Sequence, residues 1–407
     1  MQVRLDSPAS RRGGYARFEL EALRVLHDLK EFLDLSAGLN YQLSAATVDW
    51  RNVLGIIVNE APISESDQAL YDLVFSYLAS AYGGRKRRLG PLAILHPLRA
   101  AALLVRALER PARLEILTAL LHDSYEELGV RDASGSAVDS SLEEEFRPFL
   151  EPLRSDERWY LMERLKWITR RPGECYCEYT TGLLEKAIRT PEILRAKLAD
   201  RLDNTLDLRV DHQDPLAKVD FFELIFREMF IGDGASGRHA GRPALASAFS
   251  DADRLYQLFK DSLLMTLVRK SESDRADPIC HKLFEALALA GGKEAQRIAL
   301  QSLRMAGKNN LQARKLLLAT MEYVERGGVD RVTPPGSDNR LDGLFISVFR
   351  DAGSRDPGRF RRLNDDKDLM FQAAMAFVAI FLRFLHEPGF FIHGISSAGV
   401  AAPGELV

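Results

Sequence analysis

RAKLADRLDNTLDLR, residues 195–209, sorts itself into two helical faces. Counted from Asp200, the residues Asp203, Asn204 and Asp207 fall at +3, +4 and +7 on one side, while Leu198, Leu202 and Leu206 line another. Positions three and four apart are neighbours on an α-helix, and an apolar stripe of this kind packs against a core. The same period governs the chain on either side. Leu20, Leu23, Leu26, Leu29 and Phe32/Leu33 recur at helical steps. Ser64 and Asp67 read as a cap and a first-turn acid ahead of a helix over Ala69–Tyr82, which Gly83-Gly84 ends. Further helical patterns run over Ile94–Ala107, Ala112–Leu128, 142–171 and 178–209.

Downstream, Gly291-Gly292, Gly307 and Gly327-Gly328 read as helix C-caps, at spacings too uneven for a repeat. GDGASGRHAGRP (232–243) and TPPGSDN (333–339) read as loops. Almost no segment alternates in the manner of a strand, so the expected fold class is all-α. The domain plan is an N-terminal helical region (1–62), a central helical domain (63–231), a glycine-rich linker or loop (232–245) and a C-terminal helical domain (246–407).

Composition narrows the function. With 55 Lys+Arg against 58 Asp+Glu, the net charge of −3 gives no electrostatic case for binding a nucleic-acid polymer. A small anionic ligand in a local basic pocket remains compatible. Three cysteines, Cys175, Cys177 and Cys280, are too few for a disulfide framework and fit a reducing compartment. The run Ala373–Leu382 falls short of the ~20 residues that span a bilayer, and no apolar segment follows Arg11-Arg12 as it would in a signal peptide. The expected location is cytoplasmic.

Chemistry concentrates between Arg85 and Asn204. His96 stands in AILHPLRAA (93–101), His122-Asp123 in ALLHDSYEEL (119–128), and Asp200 in the opening stretch. Two imidazoles and two carboxylates on separate helices can converge in a bundle core, a donor set that suits a divalent metal with open positions for water. Glu126 and Glu127 follow one turn after His122-Asp123, where they can serve as acid or base toward that water. A second His-Asp pair, His27-Asp28, has no matching partners and reads as a surface feature. GDGASG follows a helix rather than a strand, so its G-x-G-x-x-G spacing does not read as a dinucleotide site. Cys175 and Cys177 lack the second pair of a zinc site, and the Phe-rich stretch 371–391 reads as a core or interface helix.

These motifs resemble the HD-domain metal phosphohydrolases, and most closely the hydrolase domain of the RelA/SpoT alarmone enzymes and their small stand-alone relatives. Over about residues 64–215, the LKWITRRPGECYCEYTTGLLEKA segment (165–187) leading into RAKLADRLDN adds to the likeness. The resemblance implies an HD-type helical bundle with His96, His122, Asp123 and Asp200 as metal ligands, Mn²⁺ being the expected ion. It implies catalytic acids at Glu126 and Glu127, and nucleotide contacts from Arg87, which packs on the base, with Arg88, Lys197 and Asn204. The implied reaction is hydrolysis of the 3′-pyrophosphate of guanosine tetra- or pentaphosphate. A nucleoside 5′-monophosphatase on the same scaffold, or a non-catalytic nucleotide sensor, is the alternative. The chain departs from the family in having Glu127 where aspartate is usual, one methylene longer, and Gly90-Pro91 where one residue commonly separates the two. No strand-rich block for a synthetase domain is read over 246–407. The implied partners are a small nucleotide, with no nucleic-acid polymer and no membrane, and a second copy or another protein at the terminal helical regions.

Overall fold

A computed structural model describes residues 29–86, 92–110, 112–127, 139–171, 174–207, 253–305, 307, 309–331, 367–397 and 399–400. The fold is all-α. Its helices are α1 (Leu29–Leu43), α2 (Trp50–Val58), α3 (Glu65–Tyr82), α4 (Leu95–Ala107), α5 (Arg113–Leu121) and α6 (Ser124–Glu127). There follow α7 (Asp139–Leu150), α8 (Ser155–Ile168), α9 (Tyr176–Ala187) and α10 (Pro191–Leu206). Beyond position 252 lie α11 (Asp253–Lys270), α12 (Ser273–Ala276), α13 (Pro278–Met305), α14 (Asn310–Glu325), α15 (Gly328–Arg331) and α16 (Lys367–His386). The strand content among the described residues is one antiparallel pair, β1 (Ile395–Ser396) with β2 (Gly399–Val400).

The expected start and stop of α3 are realised. Ser64 Oγ accepts the backbone N–H of Asp67 at 3.1 Å, and Gly83 closes the helix at φ +49°, a conformation that costs glycine little. Three longer expectations are each divided in two. Pro152 follows α7 and cannot continue it, so the helix expected over 142–171 becomes α7 and α8. Pro191 starts α10 and holds Thr190 out of the helical region, dividing 178–209 into α9 and α10. The helix expected over Ala112–Leu128 stops after Leu121, where His122 Nδ1 bonds the Ala119 carbonyl at 2.8 Å. The side chain competes there with the backbone ladder.

Helices α4 and α10 form the centre. Nearly every residue of α4 is buried, and α10 packs on α4, α5, α9, α11 and α13. The helices on both sides of 208–252 share one hydrophobic core. Arg195 on α10 bonds Glu115 of α5 at 2.9 Å and Asp277, ahead of α13, at 2.9 Å. Arg201 donates to Asp261 of α11 at 2.7 Å, and Thr205 donates to the same carboxylate at 2.7 Å. The residues 1–28, including His27-Asp28, and the segments 232–243 and 333–339, expected as loops, lie outside the described residues.

Gly307 and Gly327 stand at positive φ just past α13 and α14, as expected of C-caps. Gly291 and Gly292 do not cap anything, because they lie inside the 28-residue α13. The reason is tertiary: Phe381 of α16 packs so closely that a Cβ on Gly291 would meet its ring at 2.7 Å. Phe377 lies edge-on to Phe259 of α11 at 4.4 Å, so the Phe-rich helix is core. A Cβ on Gly292 would sit 3.5 Å from Phe381 Cβ, in ordinary contact. Gly291→Ala is therefore expected to destabilise the protein by about 1–3 kcal/mol through overpacking. Gly292→Ala is expected to be neutral or to stabilise by up to about 1 kcal/mol through helix propensity. Urea denaturation of the two variants side by side checks the opposite signs.

Candidate metal centre

The four histidine and aspartate positions singled out in the sequence meet at one point. His96 comes from the first turn of α4, His122 and Asp123 from the break between α5 and α6, and Asp200 from the middle of α10. The two Nε2 atoms are 3.1 Å apart. Asp123 places one carboxylate oxygen 3.1 Å from His96 Nε2 and the other 3.1 Å from His122 Nε2. Asp200 Oδ1 lies 3.3 Å and 3.5 Å from the same two nitrogens. Donor atoms of His96, His122 and Asp200 all fall within 4.8 Å of one another.

The protons decide what this cluster is for. His96 Nδ1 is 2.6 Å from Asp203 Oδ2, and His122 Nδ1 is 2.8 Å from the Ala119 carbonyl oxygen. A carboxylate and a carbonyl only accept, so both Nδ1 atoms carry hydrogen and both neutral rings present bare Nε2 lone pairs. Two lone pairs and two carboxylates thus face one another, and only a cation reconciles them. Around an ion with bonds of about 2.1 Å, neighbouring donors stand about 3.0 Å apart in an octahedron and about 3.4 Å in a tetrahedron. The observed spacings fit such an ion.

Protons are the competing cation. Burial would push the His122 imidazolium down, but Asp123 and Asp200 outweigh it and hold the ring well above the ordinary histidine value. Burial would likewise raise the acids, yet the two imidazoles hold Asp123 well below the carboxylate range. Lys197 and the imidazoles do the same for Asp200.

A second layer orients the donors. Asp203, wholly buried, also accepts from Arg99 Nε at 2.7 Å, and Arg99 reaches Asp207 at 2.8 Å. The guanidinium holds the Asp203 carboxyl down at about 2 against the effect of burial. Lys197 Nζ bonds Asp200 Oδ2 at 2.8 Å, and Asn204 Nδ2 donates to Asp200 Oδ1 at 2.6 Å. Both residues, expected as substrate contacts, line the cleft and also fix this aspartate. In the sequence Asp203 is one residue of a polar helix face, with no sign of its partner. Arg99 carries a sequence signal of its own, since an arginine one turn after His96 in a mostly apolar helix needs a buried partner.

The cluster opens into a cleft of about 170 Å³. Its walls include Glu126, Arg170, Tyr176, Tyr179 and, from α11, Lys260. Glu126 is exposed at the cleft and accepts the backbone N–H of Arg170 at 2.7 Å. Glu127 ends α6, and its side chain lies outside the described residues, as do Arg87 and Arg88. Cys175 caps α9 through its sulfur, and the Cys177 thiol donates to the Ser396 carbonyl at 3.2 Å, so these thiols serve the fold. Among the described residues, no helix is long and apolar enough to cross a membrane. No family profile, curated protein or solved structure matches the chain.

Two outcomes follow from the donor geometry. Asp203→Asn removes the charge that orients His96, and Mn²⁺ affinity is expected to fall about ten- to a hundredfold in calorimetric titration. Because His122 holds a proton above the ordinary histidine pKa, metal must displace that proton near neutrality. Affinity should therefore still rise with pH through 7, by up to about tenfold per unit for each proton released. A flat profile from pH 6 to 8 would contradict the raised His122 pKa.

Proposed function

We propose that this protein is a divalent-metal-dependent phosphohydrolase of a nucleotide, with the 3′-pyrophosphate of a guanosine alarmone as the preferred substrate. The observation that supports the reading most strongly is the convergence of His96, His122, Asp123 and Asp200, in the order of the HD-type motifs, with proton placement that leaves a cation-sized gap among acceptors. A bound divalent ion neutralises phosphate charge and lowers the pKa of water.

The chain's own groups supply the rest. Asp203 and the Ala119 carbonyl keep both imidazoles in the tautomer that presents Nε2, and Lys197 and Asn204 hold Asp200 in place. Glu126, at the cleft, orients the attacking water and takes its proton. Glu127 shares that work from the end of the same turn. Arg170 stands beside Glu126 and offers positive charge to a phosphate oxygen. By the HD-type resemblance, recognition of the nucleotide falls to Arg87 and Arg88. The water oxygen forms a bond to the phosphorus nearest the ribose, the bond from that phosphorus to the 3′ oxygen breaks, and pyrophosphate departs while the ribose oxygen gains a proton.

The test is release of pyrophosphate from guanosine tetraphosphate by the Mn²⁺-loaded protein, beside a panel of nucleoside 5′-monophosphates. Turnover on the alarmone, abolished in Asp123→Ala with helix content unchanged by circular dichroism, is the expected outcome. Phosphate release from monophosphates alone would transfer the assignment to a nucleotidase. Tight nucleotide binding without turnover on any substrate would make the protein a sensor.

A further inference from the structure

One wall of the metal cleft is built for something other than the metal. Tyr176, the first residue of α9, is only 4% exposed, yet its hydroxyl is buried without a hydrogen-bond partner. Native proteins rarely leave a buried hydroxyl unpaired, because it bears its full desolvation cost. The side chain lines the cleft that contains His96, Asp123 and Asp200. Burial raises the phenol pKa, so at neutral pH the group is an O–H and a donor. The metal-facing donors come from α4, α10 and the turn after α5; Tyr176 belongs to α9 and Lys260 to α11, two helices that supply none of those donors.

Positive charge reaches the cleft from Lys197 and Arg201 of α10 and from Lys260 of α11. Arg201 lines it, but its guanidinium is spent on Asp261 Oδ1 at 2.7 Å, Gln257 Oε1 at 2.6 Å and the Gln257 carbonyl at 3.1 Å. This clamp, with Thr205 on the same Asp261, seats α11 against α10 and brings the neighbouring Lys260 to the cleft. A phenol O–H and an ammonium beside one cavity are donors that suit an oxyanion. At about 30 Å³ per water, the cleft of about 170 Å³ has room for a few such groups.

We propose that Tyr176 and Lys260 form an oxyanion subsite that takes the second phosphate of a diphosphate group whose first phosphate lies at the His96–His122–Asp123–Asp200 cluster. The inference rests on the phosphohydrolase reading for its first phosphate, and it names a diphosphate, not a monophosphate, as the group the cleft selects. It also gives the C-terminal helical region a direct part in the site, through α11.

The experiment is calorimetric titration of the full chain with methylenebisphosphonate, a diphosphate that cannot be hydrolysed, and with inorganic phosphate. Each is run with and without Mn²⁺, on wild type, Tyr176→Phe and Lys260→Met, after circular dichroism confirms that the variants are folded. Bisphosphonate affinity is expected to fall about tenfold or more in each variant, with inorganic phosphate and Mn²⁺ affinities changed less than twofold. Tyr176→Phe keeps the ring, so a loss there reports the hydroxyl. Equal losses for both anions, no loss in either variant, or no bisphosphonate binding by wild type in either condition would overturn the subsite. The Mn²⁺ titration of wild type against His96→Ala judges the metal cluster separately, so the two readings fail in different columns of the same data.

Discussion

The hydrogen bond between His96 Nδ1 and Asp203, with Arg99 on the far side of the carboxylate, is the constraint around which the centre of this protein is arranged. All three side chains are almost completely withdrawn from solvent. A buried charge without a partner costs several kcal/mol, whereas a well-made pair roughly breaks even. Helices α4 and α10 are thereby held in one register, since a shift of either by a turn would strand a guanidinium or a carboxylate in the core. The same bond selects the His96 tautomer and leaves Nε2 to face the cluster. One contact thus serves packing and chemistry together.

A similar economy holds further along α10. Arg195, Arg201 and Thr205 tie the helix to α5, α11 and the start of α13, while Lys197, Asp200 and Asn204 face the cleft. The segment after position 252 is thus part of the site's foundation. Lys260 reaches the cleft because its neighbour Asp261 is locked to Arg201.

The all-α class was legible because amphipathic period is a local property. Leu198, Leu202 and Leu206 declare a helix whatever surrounds them. The cap at Ser64 and the stop at Gly83 were legible for the same reason: each uses atoms within a few residues. Prolines 152 and 191 were equally visible, and the sustained apolar period across them concealed their effect on helix boundaries. The four donor residues were legible as a set through their motif order, and the structure brings them together.

What the sequence could not contain was anything that depends on which helix lies beside which. Gly291-Gly292 carries the local mark of a helix end, yet the close approach of Phe381, ninety positions further on, turns it into a site of helix-to-helix contact. Asp203 sits on a polar face of its own helix, and becomes the buried partner of Arg99 only when α4 meets α10. The unpaired hydroxyl of Tyr176 and the placement of Lys260 exist only once α11 closes over the cleft. Period, caps and motif order are written along the chain because they are satisfied within a turn or two. Partnership across the core is set by desolvation and packing among residues distant in sequence, and so the tertiary structure alone decided it.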